Sequence, residues 1–287
     1  AIINLYSSTI KHHRYSEIFL SHNIGLKYLC FTISTYPFTK ENIMKKIILT
    51  LLLIPALAFT QYWTQVGTWN ESISQTGASN LSLAFGDDGY PVLAFKDNYA
   101  GYKATVKKFN GSTWDNVGNP GFSAGEIYGT SLAIDGDGNP YVAYSDVADS
   151  YKATVMKYTG SNWEYVGNQG FSVGTIGQIS IVFDNDGNLY AGFKDNGLDY
   201  KTTVMKFNGS SWEYVGAPGF SAGGALWVDM KFNNLGVPYV AFDDNENSDK
   251  VTVMKYNGSN WENVGIPGFT EYSAWHISLG FDSDANP

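Results

Sequence analysis

After Cys30 the chain has no cysteine, and after Arg14 it has no arginine. Three of its four histidines (His12, His13 and His22) lie near the start, which leaves His276 alone in the remainder. Each absence excludes something. Without paired cysteines, an exported domain has no disulfide and must be held by packing. One histidine and no thiol leave Ser–His–Asp or Cys–His catalysis resting on His276. From Gln61 onward there are twelve lysines, no arginine and twenty-five acidic residues, a net charge of −13. Such a domain is poorly suited to phosphate backbones, which need clustered Lys and Arg, so nucleic acid is not an expected partner. The same charge repels anionic membrane surfaces. Nothing after Gln61 keeps a helical periodicity.

The N-terminal part differs in kind. At Met44 begins MKKIILTLLLIPALAFTQ, with Lys45 and Lys46 ahead of an apolar run from Ile47 to Phe59. With the small-residue site at Ala56-Leu57-Ala58, residues 44–58 read as a secretory signal peptide. The run is too short for a spanning helix, which needs about 20 residues. Residues 1–43 read as upstream translation or an atypical leader outside the fold. A secreted or outer-surface protein is therefore expected, with no membrane insertion once the signal is removed.

What the chain does have is a repeat. Trp114, Trp163, Trp212 and Trp261 recur at a step of 49 residues, as do Asp97, Asp146, Asp195 and Asp244, and Lys103, Lys152, Lys201 and Lys250. Each unit reads as four short strands. In the second unit these are SLAID from Ser131, YVAYSD from Tyr141, KATVMKY from Lys152 and WEYVG from Trp163. Alternating β-branched and aromatic residues between D-G-N and N-G-S turns are the hairpin signal. Four antiparallel strands in about fifty residues, repeated in tandem, are the pattern of a β-propeller blade. The expected fold is all-β, with blades over 81–118, 130–167, 179–216 and 228–265 within a repeat region spanning 59–287. A lone fourth strand is expected at 62–67 and a partial blade at 277–287. That register predicts four full blades of a larger ring.

The strings V-x-K-[FY]-N-G-S-x-W-[ED]-x-V-G, as at Val106 and Val253, resemble the last hairpin of kelch-type blades. AIDGDGNPYVAY, from Ala133 to Tyr144, resembles the strand pair of NHL-like bacterial propellers. The double glycine of kelch repeats is absent, so the resemblance is to the propeller class.

In a blade, the two-to-three loops and the connections between blades share one face. The other face carries the uniform D-G-N and N-G-S turns. The first face is where the copies diverge, and repeat proteins place variation on the binding face. Its loops read DNYAGYK, DVADSYK, DNGLDYK and DNENSDK, bracketed by Asp97, Asp146, Asp195 and Asp244 and by Lys103, Lys152, Lys201 and Lys250. These pairs are either ligand-facing charges or ion pairs bracing the loops. Tyr128, Trp227, Trp275 and His276 break the repeat and are the other ligand candidates. The recurring Trp, and the Phe of each G-F-S string from Phe122 onward, read as anchors between blades. Asp135, Asp137 and Asn139 mimic the start of a calcium loop, but Pro140 stands where glycine is needed, so a hairpin turn is the better reading and no metal or cofactor is expected.

The function these features support is a non-catalytic binding or adhesion module for a glycan or an extracellular protein. The alternatives are a carboxylate-based polysaccharide hydrolase or lyase and a purely structural array. No catalytic residue stands out, and the sequence leaves the oligomeric state open.

Overall fold

The computed structural model describes residues 5–10, 13–18, 66 and 73–287. The segment expected as a signal peptide at 44–58, and the strand expected at 62–67 apart from Val66, lie outside the described residues. The chain divides into two units, 1–64 and 65–287. In the first, Leu5–Ile10 (β1) pairs antiparallel with His13–Ile18 (β2), with Leu5 opposite Ile18.

The second unit holds four sheets of four strands, each in chain order and antiparallel. Blade 1 is Ala78–Phe85 (β3), Pro91–Asp97 (β4), Lys103–Phe109 (β5) and Trp114–Asn116 (β6). Blade 2 is Ile127–Ile134 (β7), Pro140–Asp146 (β8), Lys152–Tyr158 (β9) and Trp163–Tyr165 (β10). Blade 3 is Ile176–Phe183 (β11), Leu189–Asp195 (β12), Lys201–Phe207 (β13) and Trp212–Tyr214 (β14). Blade 4 is Val228–Phe232 (β15), Pro238–Asp244 (β16), Lys250–Tyr256 (β17) and Trp261–Asn263 (β18). A fifth repeat begins at Ile277, where Ile277, Leu279 and Phe281 pack on Tyr239, Ala241 and Val253.

The turns form for the reasons the sequence supplies. Asp135 Oδ1 accepts the backbone N–H groups of Asp137 and Asn139, and Asp184 does the same for Asp186 and Asn188. An Asx side chain holding its own turn leaves little need for a metal. In the outer hairpins, Asn110 Oδ1 accepts from Ser112 and Thr113, and Asn208 accepts from Ser210 and Ser211. One sequence expectation is altered. The first strand starts earlier than SLAID, so Ile127–Thr130 is strand rather than loop, with a bulge between Tyr128 and Thr130. A bulge adds one residue without losing the ladder. Here it lets Gly129, at φ 55°, leave the pleat.

Blades are joined by a repeated clasp. Trp163 Nε1 donates to Val117 O of the blade before, Trp212 to Val166 O and Trp261 to Val215 O. The preceding G-F-S loop lays its Phe on the same indole: Phe122 stacks on Trp163 with ring centres 4.0 Å apart, Phe171 on Trp212 at 4.3 Å and Phe220 on Trp261 at 4.5 Å. The loop itself is pinned by its serine. Ser172 Oγ accepts from Ala153 N and donates to Gly174 O. The glycine closing each W-x-x-V-G string is required here. Gly167 has φ +71°, and a Cβ on it would lie 3.2 Å from the indole of Trp212. Nearer the axis, Ser82 Oγ accepts Leu132 N–H, Ser131 accepts Ile181 N–H, and Ser180 accepts Met230 N–H. Asp229 replaces the serine in blade 4, accepting from Ser180 Oγ and from Leu279 N.

Two outcomes are expected. Trp212→Ala removes a buried anchor and its hydrogen bond and is expected to cost about 3–5 kcal/mol in a denaturant titration. Tyr144 is fully buried where the other blades carry Phe95, Phe193 and Phe242, and its hydroxyl has no hydrogen-bond partner among the described residues. Tyr144→Phe is therefore expected to stabilise by about 1 kcal/mol, because it removes an unsatisfied buried group. A lower midpoint for Tyr144→Phe would contradict this.

Candidate functional site

The repeated aspartates are loop-holders. Asp146 accepts the N–H of Ala148, Asp195 those of Gly197, Val173 and Gly174, and Asp244 that of Glu246 and the hydroxyl of Thr252. Asp97 accepts from Tyr99 N and Thr105 Oγ1. All four carboxylates are buried. Each stands opposite its lysine in register (Asp97 with Lys103, Asp146 with Lys152, Asp195 with Lys201, Asp244 with Lys250). None of these couples is among the ion pairs of the described residues. The bracing is by carboxylate and backbone amide. Burial pushes the Asp146 carboxyl above its ordinary value, against the N–H bonds from Ala148 and Gly125.

Each two-to-three loop closes on a residue in the left-handed region: Tyr102 at φ 63°, Tyr151 at 60°, Tyr200 at 63° and Asp249 at 58°. That conformation costs a bulky L-residue roughly 1–2 kcal/mol. It is held because the carbonyl beyond it bridges to the next blade, where Ile127, Ile176, Ala225 and Ala274 donate to Tyr102, Tyr151, Tyr200 and Asp249. The backbone is thereby fixed at the seam and the side chain is left outside. Tyr102, Tyr151 and Tyr200 are 48%, 44% and 58% exposed. They form three repeat-related aromatic surfaces on the varied face.

The position just before each repeated aspartate carries the charge that distinguishes the seams. It reads Lys96, Ser145, Lys194 and Asp243. Lys96 is buried, pairs with Glu126 at 2.5 Å, and sits 3.9 Å from the ring centre of Tyr128 and 5.3 Å from that of Tyr102. The Lys96 ammonium hydrogen bond holds the Glu126 carboxyl below its ordinary value. Tyr128 also lies 5.8 Å from Tyr151. Lys194 stands 5.5 Å above the Tyr200 ring and forms no ion pair among the described residues. Burial pushes its ammonium below the usual lysine value, opposed by the charge of Asp243. Asp243 is buried, accepts from Leu226 N and Trp227 N, and is raised by burial.

Trp227 and His276 both line a cavity of about 360 Å³, their ring centres 4.0 Å apart. Gln178 lines the same cavity. They occupy one repeat position, where His276 is left-handed at φ 57°. Trp275 is 68% exposed on the neighbouring position. The candidates thus separate into two places: Tyr128 at the blade 1–2 seam, and Trp227 with His276 at this cavity.

Sequence reasoning passed over Tyr102, Tyr151, Tyr200, Lys96 and Lys194. The available signal was the Lys–Ser–Lys–Asp alternation inside an otherwise repeated strand.

The pH dependence of Asp243 has a definite sign. A carboxyl whose folded pKa is raised contributes stability below its unfolded pKa and loses it as pH rises through the folded value. Asp243→Asn keeps the acceptor oxygen for both amides. It is expected to melt at or above the unsubstituted protein at pH 7–8, with the gap narrowing towards pH 4. A constant gap across that range in a thermal-melt series would show that the carboxyl charge is not the cause.

No family model matches this chain, and no curated protein matches it. Solved structures do. The SapL1 lectin in complex with alpha methyl fucoside superposes with a TM-score of 0.52 at 15% identity, covering 66% of this chain and 64% of that one. A fungal lectin from Aleuria aurantia, described as a six-bladed β-propeller with a novel fucose recognition mode, gives 0.51 at 12% identity, covering 68% and 65%. An α-L-arabinofuranosidase from Clostridium thermocellum gives 0.42 at 16% identity, covering 68% and 75%. This chain spans somewhat under two thirds of either lectin. With the four four-stranded sheets, the lectin likenesses establish the fold: this chain is built as a β-propeller.

Proposed function

We propose that this protein is a non-catalytic glycan-binding propeller that recognises sugar through the seams of its varied face. The observation that carries the reading is the set of tyrosines Tyr102, Tyr151 and Tyr200, each exposed and each held in a costly left-handed conformation at the same place in successive blades. Backbone strain that persists across copies must be over-determined by its surroundings, and it commonly sits at ligand sites. Here the turn delivers a flat ring, with an ammonium above two of the three. Apolar ring faces flanked by hydrogen-bonding groups suit the mixed faces of a pyranose. The two lectins of similar fold were described with fucose. Three copies of a weak site also gain by avidity on a multivalent glycan. The signal segment at 44–58 supports action outside the cell, where such glycans are met.

A glycan array of the full chain tests the proposal. Binding to at least one sugar class is expected, and Tyr200→Asn should weaken it by about tenfold, about 1.4 kcal/mol. Asn tolerates the left-handed region, so the variant should melt no lower than the unsubstituted protein. Replacing all three tyrosines should abolish retention on multivalent glycan. A chain that binds no sugar, or whose binding ignores all three rings, would refute the reading. Cleavage of a bound polysaccharide would refute its non-catalytic part.

A further inference from the structure

The seams between blades 1 and 2 and between blades 3 and 4 share two features. In each, a lysine on the second strand stands beside the left-handed tyrosine of its own blade, Lys96 by Tyr102 and Lys194 by Tyr200. In each, that tyrosine's carbonyl receives an N–H from the next blade, Ile127 in one and Ala225 in the other. The seams differ in what faces the ammonium. Lys96 is answered from the next blade by the carboxylate of Glu126 and the ring of Tyr128. Ninety-eight residues on, the same two positions are Gly224 and Leu226. Gly224 carries no side chain, so no carboxylate faces Lys194 from the Glu126 position; a Cβ there would fall 3.2 Å from the Tyr200 Cβ, which would have to give by a few tenths of an ångström to admit one. Lys194 is thus a half-buried cation with no carboxylate paired to it among the described residues. The nearest acidic group acting on it, Asp243, is engaged by the N–H groups of Leu226 and Trp227 and makes no ion pair with it.

The geometry points to the blade 3–4 seam as a subsite for the carboxylate of an acidic sugar, with the Lys194 ammonium as its counter-ion and the Tyr200 ring as the surface on which the pyranose rests. The Glu126–Lys96 pair shows where such a carboxylate lies. A half-buried ammonium without a partner is costly, and an incoming carboxylate supplies the missing charge-assisted hydrogen bond. The seam between blades 1 and 2, already satisfied from within, offers its tyrosines to neutral sugar only. This deepens the glycan-binding reading and rests on it, since it assigns a substrate class to one of its seams.

Titration calorimetry of the full chain tests this with oligogalacturonate and with sialyllactose, each beside its methyl ester. The acid form of at least one is expected to bind at least about tenfold more tightly than its ester, the worth of one charge-assisted hydrogen bond. Lys194→Met should remove the advantage of the acid over its ester, while Lys194→Arg keeps the preference. Gly224→Glu, which places the carboxylate that Glu126 supplies in the sister seam, should also remove the preference. It keeps the test open if Lys194→Met fails to fold, which a thermal melt would show. Equal binding of acid and ester, unaltered by either substitution, overturns this inference and leaves the glycan reading standing. Absence of binding by every sugar, with or without binding of an acidic peptide, overturns both.

Discussion

The structure depends on one contact made three times between complete blades. The indole of Trp163, Trp212 or Trp261 is stacked by a phenylalanine and hydrogen-bonded to a carbonyl, both from the preceding blade. A single four-stranded sheet of this size has two faces to cover and cannot bury both alone. The clasp gives each blade a neighbour at fixed spacing and orientation. Its accessories follow from it. The G-F-S serine fixes the loop that carries the phenylalanine, and the glycine of V-G clears space for the indole. At Trp114 the same bond reaches Val66 O, with Ile73 packed in the same cluster.

The seams carry a second repeated junction. Where one blade's loop meets the next blade's first strand, a single hydrogen bond must join backbone to backbone, and that bond is accepted by the carbonyl of a residue in the left-handed region. Glycine or asparagine would take that conformation at less cost. Three of the four blades instead place tyrosine there. A smaller residue would take that backbone conformation at less cost, so the scaffold does not demand the ring. The neighbouring charges vary from seam to seam while the hydrogen bonds do not, which separates what holds the blades from what distinguishes them.

Much of this was legible in the residues. The period located the blades, and the anchoring roles given to Trp163 and Phe122 are the ones the structure displays. The D-G-N string fits a turn better than a calcium loop, and in the structure Asp135 spends its carboxylate on the amides of Asp137 and Asn139. The repeated Asp and Lys read either as ligand-facing charges or as pairs bracing the loops; the aspartates are buried and hold loop amides, and no Asp–Lys couple of the set is an ion pair among the described residues. Repetition makes a residue conspicuous without saying whether it faces a ligand or its own backbone.

The sequence by itself determined the period, the four-strand unit, the turn chemistry and the scarcity of catalytic side chains. All of these are written in local patterns a few residues long. Only the tertiary structure decided which side chains meet at the seams. Lys96 and Glu126 are thirty residues apart on different blades, and nothing in their spacing announces a pair. Trp227 and His276 come together because both stand at the same repeat position, Trp227 just before β15 and His276 forty-nine residues on, and both line one cavity. Strand propensity acts within a blade. Charge and ring contacts act between blades, and they exist only after the clasps have set the distance.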